Sequence, residues 1–79
     1  MKIIQEVPWS HVLFELEGQW ILTFMTRQGP IEYEVSIQMS RMEIQQYRKN
    51  EAFLEHFLQT CREYPEQYQT RQIMPSIWP

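Results

Sequence analysis

The sequence contains no aspartate. All ten of its acidic residues are glutamates, set against seven lysines and arginines, for a net charge of −3. A chain with that balance is a poor nucleic-acid ligand, because neutralising phosphates dominates such binding. A basic protein partner suits it better. Cysteine occurs once, at Cys61, so no internal disulfide can staple the fold and a secreted disulfide scaffold is excluded. Glycine occurs only at Gly18 and Gly29. Isolated glycines build no phosphate cradle, and both sit where a turn is needed. Long apolar runs are missing too. The longest, residues 20–25, is interrupted by Thr23 and far too short to cross a bilayer, and the first six residues have no hydrophobic leader core. The expected setting is a reducing cytoplasm, with neither membrane nor nucleic acid as partner.

Groups able to do chemistry are equally sparse. His56 and Cys61 are the one nearby pair with nucleophile and base character, but five residues along a helix turn them about 140° apart. Cys61 is expected as a small core residue and His56 as a flanking surface residue. One cysteine and two distant histidines, His11 and His56, match no metal-ligand spacing. Glu32 and Glu34 share one strand face, where no cleft exists to make an acid–base pair of them. No catalytic residue, no metal site and no cofactor are expected.

What the chain does have is period. Residues 31–39 place Ile31, Tyr33, Val35, Ile37 and Met39 at alternate positions, with Glu32, Glu34, Ser36 and Gln38 between them. That is the pattern of a strand with one dry and one wet face. Two further strands precede it, residues 12–16 and 20–26, separated by Glu17-Gly18-Gln19. A three-residue loop there would set Leu16 opposite Trp20, Phe14 opposite Leu22 and Val12 opposite Phe24. Every large side chain then lies on one face; a two-residue loop would split the set. A four-residue connection, Arg27-Gln28-Gly29-Pro30, would bring Leu22 opposite Val35. A fourth, edge strand is available from residues 2–7, which Pro8 ends.

The cover for the dry face follows. Ser40-Arg41-Met42-Glu43 spells a capping box, opening a short helix at about residues 41–49. Asn50 breaks it, as a left-handed end residue or as the cap of the next helix. Residues 51–63 carry Phe53, Leu54, Phe57, Leu58 and Cys61 at helical spacing, and Pro65 stops that helix while fitting the first position of another turn. The expected fold is a single α+β domain, residues 1–79. It combines a three-stranded antiparallel meander with a short and a longer helix on one face, and residues 71–79 form an extended C-terminal tail.

Two surfaces invite a partner. The wet face of the meander should show Glu15, Glu32 and Glu34 beside Leu13, Ile21 and Met25, a docking surface for a basic, partly apolar protein. The tail presents Ile77 and Trp78, expected to dock on the chain's own sheet or in another subunit. The functional expectation is a non-catalytic interaction module that binds a protein partner through the acidic sheet face or the tail. Toxin-neutralising immunity proteins share its small size and mild acidity, a likeness that no motif carries. The alternative is a homodimer of structural or regulatory role, joined through the Ile21 and Met25 face or by exchanged tails.

Overall fold

The computed structural model describes residues 1–79. Strands β1 (Lys2–Val7), β2 (His11–Leu16), β3 (Gln19–Gln28) and β4 (Ile31–Gln38) are followed by α1 (Arg41–Lys49) and α2 (Phe53–Glu63). A 3₁₀ segment (Pro65–Arg71) and a short strand β5 (Gln72–Ile73) come next. All five strands join one antiparallel sheet in the order β1-β2-β3-β4-β5. The architecture is therefore α+β around a meander. The sheet is wider than the three or four strands the pattern suggested, because part of the tail returns to pair with β4 through Ser36 and Ile37.

Both hairpin loops are tighter than the hydrophobic pattern suggested. Glu17 and Gly18 alone connect β2 to β3, with φ of 53° and 80°. Two positive φ angles in a two-residue loop make a type I′ turn, whose twist matches that of the flanking strands. Leu16 then pairs with Gln19, Phe14 with Ile21 and Leu13 with Leu22, which replaces the expected register. Gly29 and Pro30 alone connect β3 to β4, with Gly29 at φ 61°. A positive φ followed by proline's fixed φ near −65° suits a type II′ turn. Here the expected pairing shifts by two residues, so Leu22 meets Ile37 and Phe24 meets Val35. An even shift preserves the faces of β3 and β4.

The odd shift at the first turn does not. It sends Leu13 to the helical side of the sheet and moves Val12 and Phe14 to the other. Splitting the apolar set proves acceptable because both faces are covered. On one, Leu13, Leu22, Phe24, Ile37 and Met39 pack beneath Tyr47 of α1 and Leu54, Phe57, Leu58 and Cys61 of α2. On the other, Val12, Phe14 and Ile21 form a second cluster against Leu16 and the C-terminal residues Ile73, Ile77 and Trp78.

The helices follow their local signals. Ser40 Oγ accepts from the Glu43 N–H (3.2 Å), and Glu43 Oε1 accepts from the Ser40 N–H (2.9 Å), completing the capping box. The same carboxylate takes two hydrogen bonds from Arg71, at 2.8 and 3.0 Å, so one glutamate fastens both the start of α1 and the end of the 3₁₀ segment. Asn50 adopts extended backbone rather than a left-handed one, and its Oδ1 accepts from the Ala52 N–H at 3.0 Å. That bond closes a turn between the helices, but the cap position of α2 falls to Ala52, without a side-chain bond, and α2 starts at Phe53, two residues later than expected. The helical cover stops short of one end of β4. Ile31 is 65% exposed and Tyr33 38%, so the alternation there marks an overhanging hairpin rather than core. No helix is long and apolar enough to cross a membrane.

Candidate functional site

The tail is held over the sheet by backbone recognition. The Ile77 N–H donates to Ser36 Oγ at 2.9 Å, and Thr23 Oγ1 donates to the Ile77 carbonyl at 2.6 Å. Thr23 and Ser36 are fully buried and hydrogen-bonded to each other. With the Thr23 proton committed to Ile77, the Ser36 hydroxyl supplies the shared one, and the three residues close a ring of hydrogen bonds. Two hydroxyls beneath an apolar tail are thereby satisfied, which burial requires. Ser76 Oγ adds a bond to Glu34 Oε1 at 2.9 Å. The tail thus docks on its own chain.

This docking redistributes the residues expected to meet a partner. Ile21 is buried beneath the tail and lies off the surface. Ile77 covers the same cluster and faces inward with it. Glu15 leaves the acidic set: its odd-numbered side chain falls on the helical side, in a hollow shared with Trp20, Arg41 and Arg48. Glu32 is exposed but bonded to Arg27 at 2.6 Å. Leu13, also expected on the wet face, is core. A continuous acidic sheet face therefore does not form.

Three of the expected residues do come together. Met25, Glu34 and Trp78 line an open groove of about 450 Å³ at the end of the sheet where the tail stops, and Glu6, Pro8 and Trp9 complete it. Met25 and Glu34 are direct cross-strand partners on β3 and β4. Glu6 reaches the groove from β1, where a bulge between Ile3 and Gln5 sets it opposite Val12 on the tail-covered face. Trp9 sits in the turn joining β1 to β2, 92% exposed and at φ 67°. A left-handed conformation costs a non-glycine residue about 1–2 kcal/mol, and strain of this kind clusters at functional sites. The indole gains almost no burial in return. Nothing periodic marks Trp9; the available signal was a tryptophan after the proline that ends β1.

The groove's charge is uncompensated. The ion pairs in the structure are Arg27–Glu32 and Arg71–Glu43, so neither Glu6 nor Glu34 has a cationic partner. On the far side of Trp9, Arg62 shares a shallow hollow with Arg27 and Glu32, but its guanidinium is engaged by the carbonyls of Met25 (2.9 Å) and Ser10 (3.4 Å).

Elsewhere the reactive residue types are quiet. His11 is buried against Ser10 Oγ (Nδ1 at 2.9 Å). Burial first, and then the charge of Arg62, lower its pKa below the usual histidine value against an opposing pull from Glu55. Cys61 borders a cavity of about 340 Å³ between the sheet and the 3₁₀ segment, with Tyr33, Arg62 and Tyr68. Burial, reinforced by Glu43, pushes its thiol up to about 12, overcoming Arg71 and Arg62. A thiol-specific disulfide reagent at pH 8 should therefore react with native protein about a thousandfold more slowly than with urea-unfolded protein, since the thiolate is the reacting form. Fast labelling of native protein would show Cys61 to be accessible and activated. No group of three or more histidine, cysteine or acidic side chains is placed to hold a metal ion.

No protein-family model matches the chain, and neither does any curated protein or solved structure. The groove's own chemistry therefore carries the functional reading.

Proposed function

We propose that the protein is a non-catalytic interaction module that docks a protein partner in the groove between Trp9 and Trp78. The observation that carries this reading is Trp9, an indole 92% exposed and held at φ 67° beside an apolar hollow. Large aromatic side chains dominate binding energy when a partner desolvates them. A strained, exposed tryptophan with no role in its own core fits a contact completed by another molecule. The tail supports the reading indirectly, because its docking places Trp78 in the groove wall and buries Val12, Phe14 and Ile21 on that sheet face.

The discriminating variant is Trp9→Gly. Glycine adopts a positive φ without penalty, so the change removes the indole and its strain together. Thermal stability should stay level or rise, by up to about 1–2 kcal/mol, while a partner recovered with the wild-type protein should be lost. A partner that binds wild type and Trp9→Gly equally, or a marked fall in stability, would assign Trp9 to the protein's own architecture.

A further inference from the structure

We infer that the partner segment lies extended across the end of the sheet, with basic side chains at positions i and i+4 and an apolar side chain at i+2. The inference rests on the docking reading above and specifies its chemistry. Three observations carry it. Glu6 and Glu34 flank the groove, and neither is ion-paired within the protein. They belong to β1 and β4, three strand spacings apart in the sheet, and the register puts Glu6 level with Ser36, two residues from Glu34, so their backbones are separated by about 16 Å. Between them the groove is lined by Pro8, Trp9, Met25 and Trp78.

The separation decides what kind of cation fits. Two carboxylates carried so far apart do not converge on one metal ion or one small ammonium ion. They match two charges on a longer ligand. In an extended chain, alternate side chains share a face and four residues span about 13–14 Å. The long basic side chains take up the remaining ~2 Å, so a lysine or arginine at i reaches one glutamate and its counterpart at i+4 the other. The residue at i+2 is directed at Met25 and the indoles. The stems of the basic side chains can also lie along the tryptophan faces, where cation–π attraction adds to the ion pairs.

Synthetic peptides test this directly. An alanine-based seven-residue peptide with lysines at its second and sixth positions and leucine at its fourth should shift the indole N–H resonances of Trp9 and Trp78 saturably. Replacing both lysines by norleucine should weaken binding at least about tenfold, as two exposed ion pairs of up to ~1 kcal/mol each allow. Glu6→Gln and Glu34→Gln should each weaken it about threefold to fivefold. In the second variant the amide oxygen still offers Ser76 an acceptor, so the tail keeps its anchor. Moving the lysines to two positions apart should weaken binding comparably. Equal binding of the norleucine peptide, indifference to lysine spacing, or no perturbation of either indole at millimolar peptide would overturn the inference. The two proposals fail separately. A partner lost with Trp9→Gly but retained by the double variant Glu6→Gln/Glu34→Gln leaves groove docking in place and removes its charge chemistry.

Discussion

Leu22→Ala is expected to bring the protein to the edge of unfolding at room temperature. Leu22 is completely buried at the centre of β3, paired with Leu13 on one side and Ile37 on the other, in the cluster that α1 and α2 cover. Truncating a leucine so enclosed removes its transfer free energy and leaves a cavity, for a cost of about 2–5 kcal/mol. A core of this size supplies only roughly 3–5 kcal/mol in all. Chemical denaturation should show the wild-type midpoint collapsing towards zero denaturant. Ile31→Ala provides the contrast within the same alternating pattern, because Ile31 is 65% exposed and should change stability by no more than about 0.5 kcal/mol. Equal effects at the two positions would mean that the helices cover β4 along its whole length.

That contrast also marks how far the sequence is readable. A capping box, an apolar stripe and a proline are local devices, each satisfied within a few residues, and Ser40, Glu43, Phe57 and Pro65 accordingly occupy the expected places. Register between β2 and β3 is not local. Val12, Leu13 and Phe14 are three consecutive apolar residues facing Thr23, Leu22 and Ile21 across the turn, so either parity buries a respectable set. What breaks the tie is the turn itself, where Glu17 takes a positive φ usually left to asparagine, aspartate or glycine. A glutamate there gives no warning of a type I′ loop. Assuming a single dry face then favoured the longer loop, whereas a sheet with two covered faces has no such preference.

The second cover had its own signature, visible only in retrospect. Thr23 and Ser36 are cross-strand partners on the face assigned to water, an unremarkable pair unless something must be hydrogen-bonded above them. Ile77 supplies that something from more than forty positions along the chain. The candidate groove inherits the same non-locality. Met25, Glu34 and Trp78 were each legible as surface residues with binding potential, but only the docked tail and the β1–β2 turn assemble them with Glu6 and Trp9.

Ending the chain at Ser76 should therefore cost stability rather than association. Removing residues 77–79 strips Ile77 and Trp78 from the cluster of Val12, Phe14 and Ile21, and it leaves the Thr23 and Ser36 hydroxyls without their backbone partners. Lost apolar burial and two lost hydrogen bonds amount to about 3–5 kcal/mol, comparable to the effect of Leu22→Ala. Light scattering should show the same mass before and after truncation, because the tail docks on its own chain. The two sides of the sheet can then be separated by double-mutant cycles. Phe14 lies under the tail, so Phe14→Ala and the truncation each remove part of one cluster, and in a stabilising osmolyte that keeps every variant folded their combined cost should fall short of the sum by about 1 kcal/mol or more. Leu22 lies across the sheet from the tail, and Leu22→Ala should add to the truncation within about 0.5 kcal/mol when both are measured in a stabilising osmolyte. Strong coupling of the truncation to Leu22 and none to Phe14 would place the tail on the helical face and dissolve the groove along with it, since Trp78 forms part of its wall only from the side where Phe14 is buried.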